Sequence, residues 1–140
     1  MDARSLRLSR PMDRRIARKI SAQHARGADF KAADYIRARN EVERLRREIK
    51  AVFADVDLLI TPTMLTPAPP LAGGAGAGAR NTSPFDVFGI PTISIPCGFS
   101  ASSLPIGLQI SGAPWAEGFV LALAHAFEQA TDWHTRRPQL

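Results

Sequence analysis

Residues 81–111 read NTSPFDVFGIPTISIPCGFSASSLPIGLQIS, and this stretch determines how the rest of the chain is interpreted. It contains two apolar runs, residues 91–99 and 105–111, joined by a small and polar segment. Both runs place apolar residues at every second position: Ile93, Ile95 and Cys97 in the first, and Ile106, Leu108 and Ile110 in the second. A period of two with β-branched residues indicates strands, and the short link predicts an antiparallel hairpin.

Three prolines refine this prediction. A proline has no N–H to donate to a strand ladder, so it belongs at a strand start, at an edge or at a bulge. Pro91 and Pro105 stand at the predicted strand starts. Pro96 stands inside the first run, and we therefore expect a bulge or one unpaired position there.

The region before this stretch predicts a helix followed by a strand. Apolar residues recur at steps of three and four from about Lys31 to Ala54, which indicates a helix with one apolar seam. The heptad pattern is too short for a coiled coil, so we interpret the helix as packed on a sheet. The continuous apolar run Leu58–Ile60 then predicts a strand buried on both faces, which ends at Thr61-Pro62-Thr63.

The remaining segments complete an α/β pattern. Residues from about Glu117 to Thr131 are apolar nearly all round, which predicts a helix buried between other elements. A first helix is predicted from about Asp13 to Ala25. Residues 64–80 are rich in Pro, Gly and Ala and predict a loop. Helices combined with one buried strand and a hairpin predict an α/β fold with three strands.

Composition and charge exclude several classes of protein. No run approaches the roughly 20 apolar residues that span a bilayer, and no signal peptide is expected. The single cysteine, Cys97, excludes an internal disulfide and is typical of a reducing cytoplasm. Residues 1–50 carry 15 Lys and Arg against 7 Asp and Glu, whereas residues 51–140 carry 3 against 6. A basic half can bind nucleic acid, but no aromatic residue interleaves with the arginines before Phe30, so a solvated helix face is the favoured interpretation.

The motifs that could bind phosphate or metal are incomplete. The glycines of residues 73–78 are followed by Ala79-Arg80, whereas a P-loop needs Lys-Ser/Thr there. A dinucleotide-binding turn needs a helix after it, and Asn81–Pro84 is interpreted as something other than a helix start. The three histidines lack metal-ligand spacing: His24, His125 and His134. We therefore expect neither a metal nor a cofactor.

Three motifs, in this order, resemble the C-terminal segment of amidase-signature enzymes: TSPFD, GIPTISIPCGF and LPIGLQISG. The resemblance extends to residues 33–63 and 117–138 and covers the chain from Ala28 onward. Amidase-signature enzymes are serine hydrolases that cleave amides, and they include the amidase subunit of tRNA-dependent amidotransferases. Several independent motifs in one order make this resemblance specific.

The resemblance implies a Ser–Ser–Lys triad, which this chain does not match. In the family, a serine in a Gly/Ser-rich loop attacks the amide, and a second serine relays its proton to a buried lysine. Residues 73–78 hold no serine, and Lys19, Lys31 and Lys50 lie on charged helical segments. Because a base lysine needs burial to lower its pKa, no catalytic residue is assigned, and the chain alone is expected to be inactive.

The resemblance also places two segments near the substrate cleft, namely the Thr-Pro-Thr strand end and the Thr-x-Pro-Phe segment. We therefore expect pocket residues at Thr61, Thr63, Thr82 and Phe85. Ligands of open α/β sheets lie at such strand ends, which favours the same positions. Turn chemistry or packing is the alternative explanation for each of these side chains.

Several positions depart from the family's pattern. Amidotransferase subunits carry an acidic residue shortly before the position matched by Thr82, where Ala79 and Arg80 stand here. This departure favours a general amidase over glutamine recognition. Ser103 stands where the hairpin loop of the family usually has glycine, which leaves the turn type open.

These observations predict the C-terminal part of an amidase-signature α/β fold, with three strands, one hairpin and an incomplete mixed sheet packed with helices. Residues 1–27 are predicted to be a basic N-terminal segment, and residues 28–140 the amidase-like portion.

Uncovered strand edges favour association. The expected partner is the missing N-terminal amidase region or a second copy of the chain, with a small-molecule amide bound only in the complete enzyme. We expect no membrane contact and do not favour nucleic acid. The alternative is a stand-alone helical interaction module whose basic face binds RNA or an acidic partner.

Overall fold

The computed structural model describes residues 21, 24, 25, 27, 29–70 and 78–137. The chain divides into two compact units, residues 1–39 and 40–140. The helix predicted from about Asp13 to Ala25 lies almost entirely outside the described residues, as does the basic segment predicted over residues 1–27. The predicted domain boundary after residue 27 therefore stays a prediction.

Helix α1 runs from Ala32 to Val52, within two residues of the predicted bounds. In its second half, Ile49 is buried, and Val42 and Leu45 are half-buried. These residues follow the three- and four-residue spacing of the sequence. The predicted apolar seam is therefore covered over this part of the helix.

Three strands form one antiparallel sheet in the order β1-β3-β2. Strand β1 spans Leu58–Pro62, β2 spans Thr92–Phe99 and β3 spans Pro105–Gly112. The central strand β3 pairs with β2 through the predicted hairpin, which is confirmed. On its other side β3 pairs with β1, and Ile60 lies opposite Ile110. The predicted α/β class is confirmed as well.

A bulge interrupts the pairing of β2 with β3. The register shifts between Pro96 and Gly98, because Pro96 pairs with Gly107 whereas Gly98 pairs with Ile106. This confirms the bulge predicted at the proline. Cys97 is the extra residue, and its thiol donates to the carbonyl oxygen of Ile106 at 3.5 Å. The cysteine is half-buried and lies outside the core, although it follows Ile93 and Ile95 in the apolar alternation of this strand.

A short helix, α2, spans Ser83–Phe88, where the sequence predicted none. Thr82 precedes it, and Pro84 lies in its first turn. A proline fits there because the first N–H groups of a helix have no intrahelical partner. Gly89 ends the helix with φ 68°, in the left-handed region that glycine adopts without strain. The interpretation that Asn81–Pro84 is not a helix start was therefore wrong.

Helix α3 spans Glu117–Ala130, one residue shorter than predicted, and packs on the apolar face of the sheet. The buried core joins the strands to this helix: Ile95, Ile110, Val120 and Ala124. The prediction that α3 is buried all round is wrong for the described chain, since Phe119 is 67% exposed and Leu121 is also exposed. One sheet face covers only one side of a helix.

Strand β1 is an edge strand of the described sheet, and the exposure of Ile60 contradicts the prediction that its apolar run is buried on both faces. Ile60 at its centre is 57% exposed, while its neighbours Leu59 and Thr61 are half-buried. A short apolar run has the same sequence pattern in an edge strand and in a central strand. Burial of Ile60 would need a further element over this part of the sheet face, which the described residues do not supply.

The hairpin loop is held by backbone bonds around Ser100. Its N–H donates to the carbonyl oxygen of Leu104 at 2.8 Å, and its carbonyl accepts from the N–H of Ser103 at 2.9 Å. Ser103 has φ 60°, in the left-handed region that favours glycine. The loop therefore has the conformation of a glycine turn with serine in the glycine position.

The residues after α3 fold back onto the hairpin as a short strap. The rings of Trp133 and Phe99 lie 6.1 Å apart, between centroids. The guanidinium of Arg136 lies 4.4 Å from the Trp133 ring centroid and also forms an ion pair with Asp132 at 3.1 Å. Aromatic and cation–π contacts of this kind hold the strap against the end of β2.

Candidate functional site

The sheet face opposite α3 carries polar side chains from all three strands. We call it the polar face and define it by five residues: Thr61, Thr92, Ser94, Gln109 and Ser111. Thr61 and Ser94 lie on either side of Gln109 in the register, and Thr92 lies opposite Ser111. Paired residues point to the same side of a sheet, so these groups form two rows. The hydroxyls of Thr92 and Ser111 are hydrogen-bonded at 2.9 Å.

Gln109 joins the sheet to the segment before α2. Its side chain is almost completely buried, at 1% exposure. The Nε2 group donates to Thr61 Oγ1 and to the backbone oxygen of Asn81, both at 3.1 Å. The side chain of Asn81 donates in return to the carbonyl oxygen of Pro62 at 2.9 Å. We call these three hydrogen bonds the Gln109 joint. They fasten the start of α2 to the end of β1.

A second polar contact lies one row further along β3. The hydroxyls of Thr63 and Ser94 are hydrogen-bonded at 2.6 Å, above the backbone of Gly107. A Cβ atom at Gly107 would lie 2.7 Å from Thr63 Oγ1 and 2.8 Å from Ser94 Oγ. Distances this short are not tolerated, so the hydroxyl pair depends on glycine at this position.

The four predicted pocket residues fall into two pairs. Thr61 lies in β1 and Thr63 directly after it, and both take part in the contacts just described. Thr82 precedes α2, and its hydroxyl donates to the carbonyl oxygen of Ala79 at 3.3 Å. Phe85 lies half-buried in α2. The Gln109 joint brings Thr61 next to the residue that precedes Thr82, while no hydrogen bond joins the two pairs directly among the described residues.

Helix α2 is held at its other end by α1. The Nε group of Arg46 donates to the carbonyl oxygen of Val87 at 2.9 Å, near the end of α2. Gly89 lies directly beneath the guanidinium, and a Cβ atom there would be 3.7 Å from Arg46 Nε. A cation at a helix C-terminus satisfies a carbonyl that lacks an intrahelical partner and stabilises the helix dipole. Helix α2 is thus fixed at both ends.

An apolar cleft of about 540 Å³ lies at the end of β1. The described residues that line it carry no charged side chain: Pro62, Met64, Leu65, Thr66, Pro67, Ala68, Pro69, Gly78, Pro105, Ile106 and Gly107. None of the four predicted pocket residues is among these. The cleft would accept an uncharged group, since burial of a charge without a partner is costly.

The polar face can bind a polar ligand but holds no activated nucleophile. Its hydrogen bonds join hydroxyls, one amide and backbone carbonyls. Both lysines in the described parts of the chain, Lys31 and Lys50, are exposed and have no role in this network. A hydroxyl needs an adjacent base to become a good nucleophile. The described residues therefore supply hydrogen-bond donors and acceptors, and no base.

Neither a candidate metal cluster nor a membrane-spanning helix occurs among the described residues. Across the described ranges, no three His, Cys, Asp or Glu side chains are grouped so that they could hold a metal ion. None of the helices that the structure describes is long and apolar enough to cross a bilayer.

The ion pairs of the residue 40–140 unit lie mainly on α1, away from the polar face. Arg44 pairs with Glu41 at 2.5 Å and also with Glu48 one turn further on. The hydrogen bond from Arg44 lowers the pKa of the Glu41 carboxyl, and both carboxylates raise the pKa of Arg44. All three side chains are exposed, so these contacts stabilise the helix surface and build no site.

The sequence interpretation missed the residues that organise the polar face: Asn81, Ser94 and Gln109. The alternation of β2 and β3 contained part of the signal, because it placed Ser94 and Gln109 on the face opposite the apolar residues. It did not indicate that Asn81 lies beside them. That contact follows from the return of the chain to the sheet after residues 64–80.

Comparison with known proteins identifies one family for most of the chain. A family model described as amidase matches residues 2–121. A glutamyl-tRNA(Gln) amidotransferase subunit of Moorella thermoacetica is 38% identical over 146 aligned positions, which cover 100% of this chain and 29% of that protein. The chain therefore spans less than a third of the length of this curated relative.

Two solved structures are similar to the chain. One is described as an amidase, with a TM-score of 0.73 and 31% identity, covering 80% of this chain and 28% of that one. The other is a 6-aminohexanoate cyclic dimer hydrolase, with a TM-score of 0.72 and 29% identity, covering 82% and 28%. The matching region is the C-terminal part of these longer chains.

Proposed function

The chain belongs to the amidase family, and we propose that it forms one wall of the substrate cleft in an enzyme that hydrolyses amide C–N bonds. Amide hydrolysis needs a nucleophile, a base and donors for the oxyanion. In this proposal, a Ser–Ser–Lys triad comes from a polypeptide region that the sequence does not contain. One observation carries the proposal. The family match covers both described lysines, Lys31 and Lys50, and both are exposed, so neither suits the buried base of the triad.

We assign the cleft wall to Thr61, Thr63, Thr82 and Phe85. A threonine hydroxyl donates one hydrogen bond and accepts others. Thr61 can therefore accept from Gln109 and still donate to an amide oxygen. The ring of Phe85 would add an apolar surface beside these hydroxyls. Their role is to bind and orient the amide, which lowers the entropy cost of attack.

The substrate we propose is an uncharged small-molecule amide. The relatives carry names that point to different amides, namely a glutamyl-tRNA(Gln) amidotransferase and a 6-aminohexanoate cyclic dimer hydrolase. The absence of an acidic residue at Ala79 and Arg80 favours a general amide over glutamine, whose ammonium would need a carboxylate. In the complete enzyme, kcat/KM for a simple aliphatic amide is expected to exceed that for glutamine.

The partner we propose is the rest of an amidase-family protein. The Moorella relative belongs by its name to a multi-subunit enzyme, so assembly has a precedent among the relatives. A homo-oligomer is the other outcome of a binding experiment. The stand-alone RNA-binding module finds no support, because the family match includes α1 and most of the basic segment.

Two measurements test the function. The purified chain alone is expected to give no labelling by a fluorophosphonate serine probe and no ammonia from simple amides. Co-expressed with the remaining N-terminal part of the solved amidase, it is expected to restore amide hydrolysis above that of the N-terminal part alone. Labelling of the isolated chain would place a nucleophile within it and end the proposal, as would an assembled pair without activity.

A further inference from the structure

The geometry points to Gln109 as the residue that positions the two proposed segments of the cleft wall. Thr61 and Thr63 lie at the end of β1, whereas Thr82 and Phe85 lie at the start of α2. These segments are separated in sequence and meet through the Gln109 joint. This inference rests on the proposed function and adds to it a positioning residue that touches no substrate.

The hydrogen bonds of the Gln109 joint fix the spacing between the end of β1 and the start of α2. The amide of Gln109 is buried and donates two hydrogen bonds, one to each segment. Both acceptors are fixed, because Thr61 lies in the β1–β3 ladder and Asn81 is held by its own bond to Pro62. A buried amide that loses an acceptor leaves a polar group without a partner. The distance between the segments is therefore held within hydrogen-bond geometry.

A carboxyl group in place of the amide makes the joint depend on pH. In Gln109→Glu, the protonated carboxyl still donates one hydrogen bond, while the ionised form presents only acceptors to the carbonyl oxygen of Asn81. Burial raises the pKa of such a carboxyl above its unfolded value, since it disfavours the charged form. The folded state then binds more protons than the unfolded state, so the joint holds at low pH and loosens as pH rises.

The experiment measures backbone ¹⁵N order parameters of the full chain at pH 4 and pH 7.5. In the wild-type chain, residues 81–88 are expected to be rigid, with values of about 0.85 at both pH values. In Gln109→Glu they are expected to stay near that level at pH 4 and to fall below about 0.6 at pH 7.5, while β2 and β3 stay rigid. Ser111→Ala is the matched control, because it removes a buried hydroxyl of the same face and leaves the joint intact.

A second variant keeps the inference testable if Gln109→Glu unfolds at neutral pH. Thr61→Val removes one acceptor with little change in volume, and it is expected to loosen residues 81–88 at both pH values. The inference would be overturned if residues 81–88 stayed rigid in both variants. It would also be overturned if these residues were mobile in the wild-type chain, or if the variants lost order equally throughout β2 and β3.

The functional readout uses the co-expressed pair described above. Gln109→Glu at pH 7.5 is expected to raise KM for a simple amide about tenfold with kcat within about twofold, as for a loss of ground-state binding. An unchanged KM with loosened residues 81–88 would overturn the positioning role and leave the proposed function intact. An inactive wild-type pair would overturn the proposed function, and the order parameters would then decide the joint alone.

Discussion

At the scale of single residues, Ser103 in the β2–β3 loop has a backbone conformation that glycine adopts more readily, with φ 60°. We predict that Ser103→Gly stabilises the chain by about 1 kcal/mol, because it removes the Cβ clash of the left-handed region. Urea unfolding followed by tryptophan fluorescence measures the change. Ala101→Gly in the same loop is the control, since residue 101 lacks a positive φ, and it is expected to lose about 0.4–1 kcal/mol through the entropy of the unfolded chain. Equal losses in both variants would contradict the prediction.

Gly107 is a residue where any side chain has a cost. Gly107→Ala is expected to destabilise the chain by about 1–3 kcal/mol, because its Cβ would displace the hydroxyls of Thr63 and Ser94. Gly118→Ala introduces the same methyl group into α3, where nothing lies within 4 Å. The helix propensity of alanine is expected to stabilise that variant by up to about 1 kcal/mol. Thermal unfolding of the two variants, side by side, checks the difference, and similar midpoints would argue against the close contact at Gly107.

The burial of Gln109 marks the limit of sequence interpretation at this scale. Alternation in β3 correctly placed Gln109 opposite the apolar residues, and such a position is usually exposed. Its partners, Thr61 and Asn81, lie 48 and 28 residues away. A periodic pattern reports only neighbours along the chain, so it could not reveal that a polar position is buried by distant polar groups.

At the scale of elements, α1 carries a pH-sensitive pair on its surface. Arg44 lowers the pKa of Glu41, so the folded helix binds this proton less readily than the unfolded chain does. The stabilisation is therefore present above the ordinary pKa of a glutamate and is lost as pH falls through the lowered value. Arg44→Gln is expected to raise the pKa of Glu41 towards its ordinary value, which a carbon-13 titration of the carboxyl group measures. An unchanged pKa would mean that the ion pair does not form in solution.

The elements differ in how far the sequence indicated them. Long periodic segments gave α1, α3 and the hairpin nearly to the residue, and Pro96 indicated the bulge. Helix α2 was missed because six residues contain too few turns for a period, and Ser-Pro occurs in turns and at helix starts alike. The exposure of β1 and of one side of α3 depends on which neighbours are present, which no local pattern records.

At the scale of the whole molecule, large apolar side chains are exposed in the first turns of α3 and just before it. Trp115, before the helix, is 90% exposed, and Phe119 and Leu121 within α3 are exposed as well. Large apolar side chains in contact with water favour association. We predict that the isolated chain self-associates with rising concentration and that Phe119→Gln weakens the association several-fold, measured by sedimentation equilibrium. His125→Gln, an exposed polar substitution on the same helix, is the control. A chain that stays monomeric at high concentration would contradict the prediction.

The family was indicated by the order of three motifs, and the match to residues 2–121 confirms it. These motifs are informative because they coincide with the strand ends and turns that fix the fold. The pocket residues Thr61, Thr63, Thr82 and Phe85 stay a prediction, since their role depends on groups that this chain does not contain. The larger mixed sheet implied by the resemblance is likewise a prediction, because the described strands pair only in antiparallel fashion.

The strand order β1-β3-β2 also predicts the order in which the strands pair during folding. The hairpin of β2 and β3 closes a short loop, whereas pairing of β1 with β3 closes a loop of residues 63–104. Hairpins form in about 1–10 μs, and longer closures carry a larger entropy cost. We expect refolding kinetics in which Leu108→Ala slows folding and Leu59→Ala mainly speeds unfolding, and the reverse pattern would exclude this order. On the ribosome, β1 emerges before β2 and β3 but pairs last, so the nascent chain carries an unpaired apolar strand until β3 has emerged.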